Sequence, residues 1–428
     1  MNELSQMIKD DMKPALGVTE PGAIAFAVAK ARSYTNGKIK RVNVAMNSGM
    51  YKNAFTCGIP NSNEVGNVFA AALGAVAGNA DKGLESLADV TEADNVKAQE
   101  MIDKGIVTVE LSGITSRIFI EASVETEEAC AVVTIRDSHT NITKITVNGQ
   151  IELETEDEKK TEEEEGEEIH SIHKYTLQQL CDYATTVDIE EIRFIEEAYK
   201  VNLDLFHEGL SNPRTTFARH LLELNSGKEV SDNEQATASL MCNAAIEARV
   251  IGLDKPAMSI TGSGAHGIIA TMPLYAAYKV NGYTEEQLLR ATALSYLVCM
   301  YIKEYSGRLS AFCGCAIAAG SGMACALVYL RGGTVEMMTH TLNNMASSIT
   351  GMICDGGNQG CTMKGIAAVD AAYKSVEFAM KGIYISDVHG INGKTPEETM
   401  RNMGLIASPG MVGTEKTIVE IFEDKLKK

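Results

Sequence analysis

Tryptophan is absent from this 428-residue chain, and aromatic residues make up only 6% of it. The apolar mass comes instead from Ala, Val, Ile, Leu and 20 Met, of which Ala and Met favour helices and Met fills irregular gaps. Clusters of Lys and Arg are missing as well. With a formal net charge of −19 and no basic patch, the chain would repel a nucleic-acid backbone, so nucleic acid is excluded as a partner. Met1–Pro14 is charged and has no signal-peptide core. The longest apolar run, Ala311–Leu330, approaches the length of a membrane helix. Its three cysteines, several glycines and Ser321 make it a poor lipid-facing segment, and a buried helix is expected. A soluble, cytoplasmic protein is therefore expected. Its ten cysteines should be reduced there, acting as packed small residues, nucleophiles or metal ligands.

What is present divides into two kinds of text. Asn2–Ser33 reads as two helical pieces broken at Gly17–Pro21, with Thr19 suited to cap the second and Pro21 suited to its first turn. Alternating segments follow at Ile39–Met46, Val107–Leu111, Ile118–Val124, Ala129–Arg136, Thr143–Val147 and, after an Asn148-Gly149 turn, Ile151–Leu153. Two helices, Gly66–Gly78 and Asp94–Lys104, interrupt them. Past Tyr175 there is almost no strand text. Helices are expected at Leu177–Tyr183, Ile189–Gly209, Thr216–Leu224, Asn233–Val250, Glu285–Tyr305, Ser310–Leu330, Val335–Met352, Gly365–Met380 and Thr414–Lys427. The expected fold class is α+β. Residues 1–174 would form a domain with a mostly antiparallel sheet and an acidic loop at 152–168, and residues 175–428 an all-helical domain.

Three breaks in the helical text can carry chemistry. Thr261-Gly262-Ser263-Gly264-Ala265-His266-Gly267 leads to an apolar stretch and Met272-Pro273; it lacks the Gly-Lys-Ser/Thr ending of a phosphate loop. Arg308–Cys315 ends in Cys313-Gly314-Cys315. The third break, Cys354-Asp355-Gly356-Gly357-Asn358-Gln359-Gly360-Cys361, has two cysteines flanking a flexible loop, with no paired CxxC or nearby His to suggest zinc. With Cys313 or Cys315 added, three thiolates can hold a cubane cluster and leave one iron open, as Lewis-acid catalysis requires. The competing reading is buried thiols in a Gly-packed helix bundle. Nearer the N-terminus, Asn47–Asn53 offers an amine and amides suited to a carboxylate, and Ser138–Asn141 offers an imidazole.

Taken in order, Ala15–Pro21, Lys52-Asn53, His139–Ile142, Gly262–Gly264 with Ala270–Pro273, Arg308–Ala311 and Gly351–Gly356 resemble the L-cysteine desulfidase family, a relative of the iron–sulfur L-serine dehydratase α chain. The resemblance covers nearly the whole chain. It implies a [4Fe-4S] cluster on Cys313, Cys354 and Cys361, with Cys315 as the rival of Cys313. It also implies α,β-elimination from a small amino acid such as L-cysteine or L-serine, giving pyruvate and ammonia. The matching positions Thr19, Glu20, Lys52, Asn53, Thr140, Asn141, Ser263 and Gly264, together with Asn47 of the segment before Lys52, are expected to bind substrate in a cleft between the two halves of the chain. Two positions depart from the family pattern. Val18 stands where a cysteine is usual, and Ala265-His266 stand where Asn-Gln is usual. His266 or His139 is the expected general base, since imidazole titrates near neutrality. The alternatives are a hydratase or dehydratase of another small carboxylate, and a non-catalytic relative used for sensing. Homodimerisation is a further implication of the resemblance.

Overall fold

The computed structural model describes residues 2–115, 117–156, 171–307 and 309–427. Most of the expected acidic loop and Arg308 lie outside the described residues. The chain begins with α1 (Glu3–Asp11), β1 (Lys13–Leu16), α2 (Thr19–Arg32), β2 (Ile39–Asn47), α3 (Ser48–Ala54), α4 (Asn67–Ala77) and α5 (Glu92–Asp103). Five strands follow: β3 (Val107–Gly113), β4 (Phe119–Thr126), β5 (Cys130–Arg136), β6 (Ile142–Val147) and β7 (Gln150–Glu154). The rest is α6 (Leu177–Thr186), α7 (Ile189–Ile192), α8 (Glu196–Ser211), α9 (Phe217–Leu224), α10 (Glu234–Val250), β8 (Pro256–Ser259), α11 (Gly264–Asn281), α12 (Glu285–Ser306), α13 (Gly320–Leu330), α14 (Val335–Ile349), α15 (Gly360–Ala379), α16 (Pro396–Leu405) and α17 (Val412–Leu426).

Six strands form one sheet in the order β3-β2-β4-β5-β6-β7. Only β2 and β3 run parallel, joined through α3, α4 and α5; the other neighbours are antiparallel, as expected from the short turns between them. Alternation sets the buried face: Val42, Val44 and Met46 on β2 and Ile120, Ala122 and Val124 on β4 point inward. They cover α2, whose Ala-rich surface is buried on nearly every side. A central pair, α10 and α11, organises the helices, with α8, α12, α13 and α15 packed around it.

Three features depart from the sequence expectations. A second, two-stranded sheet pairs β1 with β8 antiparallel, tying the N-terminal segment to the helices. Each strand has four residues and one proline, too short and too irregular for an alternating signal. Helix α11, which is not among the expected helices, continues through Pro273; Ser295 on α12 donates to Ala270 O one residue from the carbonyl the proline leaves without a donor. Lastly, the expected helix Ser310–Leu330 starts late. Phe312 pairs as an antiparallel bridge with Ile353, and one π-helical turn, Cys315–Ala319, leads into α13. Tertiary pairing there overrides a small, apolar, helix-like text.

Candidate active site

The Phe312–Ile353 bridge brings the two cysteine loops side by side. Cys313 N donates to Met352 O at 3.0 Å and Cys354 N to Ala311 O at 2.6 Å. Cys361 falls in the first turn of α15, its thiol 3.4 Å from Gly356 O. Gly356 has φ +104°, and a Cβ there would stand 2.5 Å from Lys52 O, so only glycine lets this loop lie on α3.

These loops form one wall of a cavity of about 70 Å³. Cys315, Cys354 and Cys361 line it, facing Val18, Glu20, Asn53, His139, Arg249, Ser263, His266 and Lys303. Cys313 does not. It lies beneath Cys315, 1% exposed, with the two sulfurs 3.3 Å apart. The hydrogen bond from Cys313, helped by the charges of Lys364 and Arg249, draws the Cys315 thiol down to about 7, while that same bond and burial push Cys313 up. Burial and the neighbouring thiols raise Cys361 to about 12. Among the described residues, no group of three or more His, Cys, Asp or Glu closes on a single metal ion. The thiols that line the wall are the donor type that an iron–sulfur cluster takes.

Glu20 sits in the first turn of α2, 5% exposed. Asn53 Nδ2 donates to its Oε1 at 2.9 Å and Thr19 Oγ1 to its Oε2 at 3.1 Å, with His139 Nε2 at 3.6 Å. Burial raises the Glu20 carboxyl, but the His139 ring, the Asn53 amide and the Arg249 charge outweigh it and hold it at about 2. Asn53 also reaches across to the cysteine loops, accepting from Gly357 N at 3.1 Å and facing the Cys354 thiol at 3.8 Å.

His266 lies in the first turn of α11, 7% exposed. Thr261 Oγ1 lies 2.7 Å from Ile260 O and 2.5 Å from His266 Nδ1. When its one proton goes to the Ile260 carbonyl, it accepts Nδ1–H, and the lone pair of the ring is then on Nε2. Thr261 holds a left-handed φ of 51°, rare for a β-branched residue, and its N–H is anchored by Asp11 at the end of α1. Burial, with the charges of Lys303 and Arg249, pushes His266 well below the usual imidazole range, so the ring is neutral at pH 7. A Cβ on Gly314 would stand 2.8 Å from Nε2, so glycine keeps the space above that nitrogen open.

Of the residues expected at the site, Glu20, Asn53, His139, Ser263, His266, Cys354 and Cys361 meet at this cavity. Thr19 stands just behind Glu20, and Gly264 packs on Arg249. Others lie elsewhere. Asn47 is fully buried, bridging Thr115 O and Phe119 N at the end of the sheet. Thr140 is exposed, and Asn141 closes the β5–β6 turn. Lys52 points away, its ammonium 2.8 Å from Glu415 on α17 and 2.9 Å from Ser310 O.

Two charged residues at the cavity escape a reading of the sequence. Arg249, 3% exposed on α10, has an Nε without a hydrogen-bond partner and no ion pair among the described residues. Lys303 on α12 donates to Gly307 O at 2.8 Å. A lone arginine inside the buried Ala-rich text of Asn233–Val250 is the available signal.

Residues 81–420 match the family described as serine dehydratase alpha chain. A protein of Clostridium botulinum described as a UPF0597 protein is 39% identical over 429 residues, covering 100% of this chain and 99% of the relative. UPF0597 proteins of Caldanaerobacter subterraneus and Clostridioides difficile are 36% and 31% identical, each over 99% of this chain and at least 98% of their own length. No helix among the described residues is long and apolar enough to cross a membrane. By the span of that match, the chain belongs to the serine dehydratase alpha chain family.

Proposed function

We propose that the protein is an iron–sulfur-dependent lyase that eliminates the β-substituent from a small amino acid, L-serine or L-cysteine, in the cytoplasm. The observation that carries this reading is the convergence of Cys315, Cys354 and Cys361 with His266 on one cavity. Cys354, Cys361 and a third thiol from the Cys313–Cys315 pair would hold a [4Fe-4S] cluster. When bound, the cluster supplies an open Lewis-acid position that polarises the β-hydroxyl or β-thiol leaving group.

The rest falls to the chain. His266, unprotonated at pH 7 and a weaker base than the ordinary imidazole its sequence suggests, is placed to accept the α-proton as the bond from Cβ to the leaving group breaks, leaving an enamine. The enamine tautomerises and hydrolyses to pyruvate and ammonia, with water or sulfide as the other product. Thr261 holds the ring by Nδ1, so its basic nitrogen stays toward the cavity. Val18, where the desulfidase family carries a cysteine, lines the same cavity as His266. A thiolate lost and an imidazole gained within one cavity favour His266 as the replacement base, with His139 supporting Glu20.

Iron and acid-labile sulfide measured after anaerobic reconstitution test this reading, with pyruvate assayed on L-serine and L-cysteine. Roughly four irons per chain are expected, with loss of most of them in Cys354→Ala and of turnover in His266→Gln. A protein that takes up no iron and forms no pyruvate would overturn it.

A further inference from the structure

Arg249 and Glu20 face the same cavity with opposite charges. We propose that they form a two-point receptor for the substrate's head groups, Arg249 taking the carboxylate and Glu20 the α-ammonium. This assignment rests on the lyase reading and deepens it. The site then selects α-amino acids over hydroxy acids of the same size.

Arg249 is a buried cation turned toward the cavity with an unpartnered Nε. Its guanidinium fork matches a carboxylate in two parallel hydrogen bonds. The acid nearest to it in sequence is engaged elsewhere. Glu247 accepts from the backbone N–H groups of Thr216, Phe217 and Ala218 at the start of α9, and residues two apart on a helix do not face each other. The approach to Arg249 is kept open by Gly264, where a Cβ would stand 2.7 Å from Nε.

Glu20 supplies the opposite charge. Asn53 and Thr19 each donate to one of its oxygens, orienting the carboxylate while leaving a lone pair on each. The wall therefore presents two cations, Arg249 and Lys303, and one anion, Glu20, beside a neutral His266. A zwitterion answers both signs; a hydroxy acid brings no cation to the free lone pairs of Glu20, and an amide brings no anion to Arg249.

Calorimetric titration of the anaerobically reconstituted full chain tests this, using L-alanine, which has no β-leaving group and so is not consumed, L-alaninamide, which has no carboxylate, and propionate, which has no amine. Wild type should bind L-alanine at least roughly tenfold tighter than the other two, the discrimination expected of a charged hydrogen-bond pair. Arg249→Gln should erase the preference over alaninamide and keep that over propionate; Glu20→Gln should do the reverse. Should Arg249→Gln fail to fold, Arg249→Lys, which keeps the charge and loses the fork, should still narrow the alaninamide preference. Equal binding of all three by wild type, or preferences unchanged in the variants, would overturn the proposal. If the preferences appear but no pyruvate forms, the lyase reading fails and the receptor stands. Pyruvate formation with unchanged preferences would sink the receptor and leave the lyase reading intact.

Discussion

Lys52 and Arg249 are both buried cations, and the protein treats them oppositely. Lys52 is paired twice, with Glu415 Oε2 at 2.8 Å and Ser310 O at 2.9 Å, and it pins α17 onto α3 beside the stacked rings of Phe55 and Phe422. Arg249, equally hidden from solvent, has no ion pair among the described residues and an Nε left over. A satisfied buried charge holds a fold together. An unsatisfied one lowers stability until something enters to meet it, which marks a place for a ligand. By this reasoning the lysine belongs to the scaffold and the arginine to the site.

The contrast can be broken by mutation. Lys52→Met strands the Glu415 carboxylate in the interior and should destabilise the protein by about 3–5 kcal/mol, read from the denaturation midpoint. Gly314→Ala drives a methyl against His266 Nε2 and should lower kcat by ~100-fold with little change in that midpoint, because a small displacement of a reacting group is felt mainly in the rate. Acidification gives a smaller, graded effect. His266 is held neutral in the fold but takes up a proton freely when unfolded. The unfolded state therefore binds more protons once pH drops below about 6.5, and stability should decline from there downward. Chemical denaturation across pH should show that slope, and His266→Gln should flatten it. Arg249→Met should change stability least, within about 1 kcal/mol, since Glu20, the anion that feels its charge, keeps Asn53, Thr19 and His139 beside it. A large loss there would mean that Arg249 is structural after all.

Legibility in the sequence followed the range of the interactions. The strands β2 to β7 alternate within themselves and are separated by recognisable turns, so their text announces them. The β1–β8 pair joins residues some 240 positions apart (Lys13 with Ser259) and has no local signature. At the site, the cysteines around the 354–361 loop stand out by spacing, and Glu20, Asn53 and His139 by motif. Lys52 and Asn47 share those motifs yet face elsewhere, because a short motif fixes the backbone of a turn, while the direction of each side chain is decided by what packs against it. Arg249 stayed hidden for a related reason: one charge in a helix gives no hint of whether its partner is a neighbour, a solvent molecule or a guest.

The bridge between Phe312 and Ile353 couples the two cysteine loops through the main chain. Cys313 N meets Met352 O and Cys354 N meets Ala311 O, so the loops are registered by backbone groups that every residue carries. Exchanging a thiol in either loop therefore changes the chemistry of the cavity wall while leaving the rungs that hold the wall together.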